Sequence, residues 1–139
     1  MNYCKYCKSE NIKTLTTKEK IQYKGKGLEL LLDYSVCNNC EREFLSKQQI
    51  LRNDSRLIDA KKIVDGLLTS QEIHDARIKL HLTQEQAALV FGGGKNAFSK
   101  YERAEVSQSK AMDKLIRTCL HHPDAFKDLL VEAGISLQT

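Results

Sequence analysis

Residues 82–105, LTQEQAALVFGGGKNAFSKYERAE, hold two amphipathic helical segments parted by Gly92, Gly93 and Gly94. Glycine weakens a helix by about 1 kcal/mol relative to alanine, so a run of it serves the path of the chain rather than the helix. The spacing predicts one helix from Leu82 to Phe91 and the next from Lys95 to about Arg103, joined by the short glycine-bearing turn of a helix-turn-helix. Gly92 falls where the first helix needs a left-handed residue to end it. Ala88, one turn earlier, is small enough for the second helix to approach closely. Phe98 and Tyr101 share an inward face, leaving Lys95, Asn96, Ser99, Lys100 and Arg103 outward as candidate DNA contacts. A plain helical hairpin with a solvated polar face is the alternative.

On either side of this stretch, helix signals come in quick succession. Thr69 with Glu72, and Thr83 with Gln86, have capping-box spacing. Ser109 opens a helix carrying Met112, Leu115, Ile116 and Cys119, while Pro123 suits a first turn that Gly134 closes. Residues 69–139 therefore read as an all-α domain of five helices. Before them, Ser46 and Gln49 cap a helical connector over Lys47–Asp65, with a break expected near Asn53. Cys119 lies in an apolar stretch and reads as a buried, inert thiol.

At the front, Cys4-Lys-Tyr-Cys7 and Cys37-Asn-Asn-Cys40 form two C-x-x-C pairs. Each spacing folds into a knuckle that aims two sulfurs at one point, and two knuckles complete a tetrahedral thiolate site. One structural zinc per chain is the expectation; an iron–sulfur cluster also takes four cysteines. Four thiolates leave no open position for water, which speaks against a catalytic metal. Strand-like segments Ile21–Lys24 and Leu28–Val36, turned by Gly25–Gly27, fill the loop between the pairs. Residues 1–68 are thus expected to form a small α+β zinc-binding domain with its helical connector. A domain so small needs the metal as a staple.

Composition narrows the classes further. The chain has 139 residues, 41% hydrophobic and 29% charged, which suits a globular protein of the cytoplasm, where paired cysteines point to metal rather than disulfides. No apolar run approaches the ~20 residues of a membrane span, so no membrane partner is expected. Residues 1–68 carry thirteen Lys/Arg against nine Asp/Glu, whereas residues 69–139 carry nine of each. Charge alone therefore does not separate nucleic-acid binding from simple solubility. No Ser/His/Asp set or carboxylate pair is placed for catalysis, and His121 and His122 beside Pro123 read as helix-end residues. An enzyme is not expected.

The stretch at 82–105 resembles the XRE/Cro-type helix-turn-helix, and FGGGKNAFSKYE resembles still more closely the MqsA antitoxin family, which also begins with paired C-x-x-C motifs. The GGG-x-N-A-F-S pattern is specific, because most XRE proteins carry Ser or Thr where Gly94 stands. The resemblance covers almost the whole chain, more loosely over about 41–68, and the final residues, AGISLQT included, have no assigned role. It implies a two-domain antitoxin. Residues 1–68 would bind a ribonuclease toxin, and residues 69–139 would form a homodimer that represses its own operon at a palindromic operator in double-stranded DNA. The family's base-reading Asn maps onto Asn96 and its base-reading Arg onto Lys100. That second position is a departure, since Arg grips guanine bidentately and Lys is a mobile point charge. A toxin that holds RNA is often basic, so Glu19, Glu29, Asp33, Glu41 and Glu43 are the candidate toxin contacts, with the strand Leu28–Tyr34 offering its edge or a face. The alternative function is a free-standing XRE-type transcription regulator whose zinc domain senses metal or redox state.

Overall fold

The computed structural model describes residues 2–137. They form two compact units that part between Lys61 and Lys62. In the first, β1 (Ile12–Tyr23) and β2 (Lys26–Cys37) make a long antiparallel hairpin, and β3 (Glu43–Phe44) adds a short third strand in the order β1-β2-β3. The register, Ile12 opposite Cys37 through Tyr23 opposite Lys26, leaves Lys24 and Gly25 as the turn. Both have positive φ, 50° and 77°, the two-residue hairpin turn that matches strand twist. The turn thus lies one residue earlier than the expected Gly25–Gly27, and β1 starts nine residues earlier than expected.

Helix α1 (Lys47–Asp65) is continuous, so the expected break near Asn53 does not occur. Its start is a reciprocal cap: the Ser46 backbone N–H donates to Gln49 Oε1 (2.8 Å) and the Gln49 N–H to Ser46 Oγ (3.1 Å). Asn53 has a use that its propensity hides. It accepts from the Asp33 N–H at 2.8 Å and donates to the Asp33 carbonyl at 3.0 Å, as a neighbouring strand would. Arg56 donates to the Leu31 carbonyl at 3.1 Å. Side chains of α1 thus close the edge of β2 that β3 is too short to reach, the usual hazard of an unpaired strand.

The second unit holds α2 (Ser70–Lys79), α3 (Gln84–Phe91), α4 (Ala97–Glu102), α5 (Lys110–His121) and α6 (Pro123–Ala133). Both capping boxes form, at Thr69/Glu72 and Thr83/Gln86. Ser109 accepts from the Met112 N–H, Pro123 occupies the first turn of α6, and Gly134 ends it in the left-handed conformation. Ile73, Phe98, Ile116 and Cys119 lie at the centre of one core, where burial also pushes the Cys119 thiol up. Two buried carboxylates tie the helices together. Glu102 on α4 takes Arg77 of α2 through both oxygens, each at 2.8 Å, and His74 at 2.7 Å. Asp113 on α5 accepts from the Leu68 N–H (2.8 Å), from Gln108 (3.0 Å) and from Arg117 (2.7 Å). Among the described residues no helix is long and apolar enough to cross a membrane.

Candidate metal centre and helix-turn-helix surface

The two C-x-x-C turns are near-copies of one another. In the first, the N–H groups of Tyr6 and Cys7 point at Cys4 Sγ (3.3 and 3.4 Å); in the second, those of Asn39 and Cys40 point at Cys37 Sγ (both 3.3 Å). Each turn closes four residues after its first cysteine, Lys8 N–H to the Cys4 carbonyl and Glu41 N–H to the Cys37 carbonyl. The closing residues Lys8 and Glu41 have φ of 66° and 64°. Neither is glycine, so the sequence carried no signal for these left-handed positions.

The four sulfurs lie within 4.8 Å of one another, with Cys4 to Cys40 at 3.6 Å and Cys7 to Cys37 at 3.5 Å. A tetrahedral ion with metal–sulfur bonds of about 2.3 Å requires sulfurs about 3.8 Å apart, so the spacing fits a single metal ion. The electrostatics agree. The Asn39 side-chain amide and the Ser9 backbone N–H hold the Cys7 thiol down to about 6. At Cys40 the Arg42 backbone N–H favours the thiolate, but burial and the three neighbouring sulfurs push it up to about 11. Four thiolates at this spacing repel too strongly to coexist without a cation. The apolar core here is little more than Cys4, Cys37 and Phe44, with Ile12 and Cys40 against it.

In the helical unit the three glycines all take positive φ, 88°, 96° and 96°. Gly92 ends α3 with ψ of −166°, outside the left-handed helical basin expected for it and in a region that is essentially glycine's alone. Gly93 lies against the next helices: a Cβ there would stand 3.1 Å from Ala97 Cβ, 3.3 Å from Tyr101 Oη and 3.4 Å from Met112 Cε. Phe98 and Tyr101 face inward as expected, 1% and 8% exposed, with ring centroids 5.4 Å apart. The fully buried alanine of α3 is Ala87; Ala88, expected at the close approach, is half-buried.

The second helix is shorter than its sequence suggests. It begins at Ala97, so Lys95 belongs to the turn and Asn96 to the N-cap position. Asn96 is exposed and its amide makes no capping bond. A free amide at a cap, where Asn ordinarily caps, leaves all its donors and acceptors for an outside partner. Lys95, Lys100 and Arg103 are exposed and Ser99 is half-buried; Lys95, Asn96 and Lys100 line one shallow concavity with Gly93 and Gly94.

The candidate carboxylates of the first unit are placed unequally. Asp33, a candidate toxin contact, is buried, 4% exposed and bound by Arg52 (2.7 Å), Arg56 (2.8 Å) and Thr16 (3.0 Å). Arg56, then Arg52, holds its carboxyl at about 2. Nothing in the local sequence announced this, because its partners are supplied by α1. Glu19, Glu29, Glu41 and Glu43 are exposed. Glu19 and Glu43 line a groove of about 380 Å³ with Thr17, Leu32, Tyr34 and Leu45, whereas Glu29 stands opposite Lys20 in the hairpin. The edge of β2 expected to be on offer is covered by α1 and β3.

The sequence was compared with known proteins against this geometry. A family model described as the antitoxin component of the bacterial toxin–antitoxin system, MqsA, matches residues 1–130. The antitoxin MqsA of Escherichia coli strain K12 is 32% identical over 97 residues, which cover 67% of this chain and 72% of that relative. With its four-cysteine centre ahead of a five-helix unit, the chain belongs to the MqsA family of antitoxins.

Proposed function

We propose that this antitoxin neutralises a cognate ribonuclease toxin through residues 1–68 and, as a homodimer of residues 69–139, represses its own operon at a palindromic operator. This division of labour follows the expected boundary; the compact units themselves part seven residues earlier, inside α1. The observation that carries the DNA half is the uncapped, exposed amide of Asn96, held by the glycine turn and by a helix anchored on Phe98 and Tyr101. In this reading Asn96 bonds adenine N6 and N7, Lys100 meets guanine or a phosphate, and Lys95, Ser99 and Arg103 hold phosphates. The dimer places two such helices about 34–36 Å apart on one DNA face. Its seam is α6, no residue of which is buried, with Val131 80% exposed. A second copy is the occupant that the two-fold symmetry of an operator requires.

In the front unit the metal is zinc, one per chain and structural. A multi-iron cluster spreads its four cysteines over two or four irons and holds the sulfurs on different irons well apart, whereas here all four lie within 4.8 Å of one another. The toxin docks on the groove lined by Glu19 and Glu43, where the two exposed carboxylates beside Leu32, Tyr34 and Leu45 suit a basic ribonuclease. Glu29 and Glu41 are outlying contacts.

The DNA reading is tested by Asn96→Ala. Specific affinity should fall by about 1–3 kcal/mol with relaxed preference at one operator position. Equal weakening on operator and on random duplex would mean that Asn96 does not read bases.

A further inference from the structure

Lys110 and Lys114 stand one helical turn apart at the start of α5, both exposed, and no carboxylate among the described residues pairs with either. Their placement opposes two ordinary preferences. Like charges four apart on a helix repel, and a cation in the first turn opposes the positive end of the helix dipole. Local choices that cost stability without a partner inside the fold mark surfaces shaped for a partner outside it. The third cation of α5, Arg117, is committed: it holds Asp113 at 2.7 Å and the Gly66 carbonyl at 3.0 Å. In the shallow concavity beside the lysines, Asp113 is thereby neutralised, and Asp65 leaves the pair in excess.

Charge along the chain points the same way. Residues 92–122 hold six Lys/Arg against three Asp/Glu, and each of those three, Glu102, Glu105 and Asp113, is bound to a cation. The rest of residues 62–139 holds four Lys/Arg against seven Asp/Glu. A unit with no net charge thus gathers its positive charge on the glycine turn, α4 and α5. Through Met112 the buried face of α5 adjoins the glycine turn, 3.4 Å from where a Gly93 Cβ would stand, while Lys110 and Lys114 project from the opposite, exposed face as a separate surface.

We infer that Lys110 and Lys114 form a phosphate-binding ridge that grips duplex DNA without reading its sequence, apart from the base contacts of Asn96. The inference rests on the proposed DNA reading and extends it to a second surface. Neutralising two phosphate contacts should reduce the dependence of log affinity on log salt by about two. The test uses the full chain, its upstream operator duplex and a random-sequence duplex, each titrated at several salt concentrations. The variants are K110Q/K114Q and, as a charge control at the exposed end of α2, K79Q. The ridge predicts that K110Q/K114Q weakens both duplexes alike and lowers the salt slope by about two, with K79Q close to wild type. An unchanged slope for K110Q/K114Q, or an equal loss per charge for K79Q, overturns the ridge while leaving the DNA reading intact. Failure of the wild-type chain to bind either duplex overturns the DNA reading and the ridge with it.

Discussion

A methyl group at Gly93 would meet Ala97, Tyr101 and Met112 at 3.1–3.4 Å, and its backbone φ of 96° resists any side chain. Gly94 shares that φ but has open space around it. The two positions therefore separate backbone strain from packing. Gly94→Ala should cost only the strain, on the order of 1–3 kcal/mol. Gly93→Ala adds the collision with buried neighbours and should cost measurably more. Chemical unfolding of the helical unit in both variants checks this; equal losses would mean that the surroundings of Gly93 yield freely. That a glycine run turns the chain was legible in the sequence. Which glycine is closed in by its neighbours was not, because one of the three, Met112, arrives from α5, a non-local partner. The same limit applies to Asn96: its outward position followed from the spacing, but its place before the helix depends on how far the turn extends.

Among the elements, helix starts were the most legible feature, because a cap is a contact between residues three apart. Ser46, Thr69, Thr83 and Ser109 each perform the local bond their spacing announces. What joins one element to another was not legible. The Glu102 bridge to Arg77 lies 25 residues distant in the chain, and it fixes α4 against α2. Burial raises the Glu102 pKa, but Arg77 and His74 outweigh it and leave the carboxyl below its ordinary value of 4.5. A carboxylate with a lowered folded-state pKa contributes stability above its unfolded pKa, and that contribution fades as pH falls through this value and below. Glu102→Gln strands Arg77, whose side chain is 11% exposed. At neutral pH it should cost about 3–5 kcal/mol. The gap between wild type and variant should then narrow as pH drops below about 4.5, followed by unfolding of the helical unit at a series of pH values. A gap independent of pH would show that the carboxylate charge contributes nothing to the joint.

At the scale of the whole molecule, the two units hold together by different means. The helical unit has fourteen buried residues in its core cluster, whereas the metal end of the front unit has three, two of them cysteines. Burial on that small scale supplies too little free energy to order a chain, so ion binding must carry the folding of the knuckles and of the hairpin they anchor. The consequence is a separation of functions by a single sulfur. Cys37 is fully buried and its sulfur receives two backbone N–H groups. Cys37→Ser in the full chain should release the metal and collapse the amide signals of residues 12–37, while the signals of α2 to α6 persist. Operator binding should survive, because Asn96 and its supports lie entirely in the helical unit. On the proposed docking at the Glu19 and Glu43 groove, toxin capture should disappear with the sheet that carries both residues. Mass spectrometry of the native variant reports the metal, and co-purification with the neighbouring gene's product reports the toxin. Undiminished capture by a metal-free chain with an unfolded front would move the toxin contacts into residues 69–139. The four-cysteine centre would then need another role, with sensing of metal the first to test.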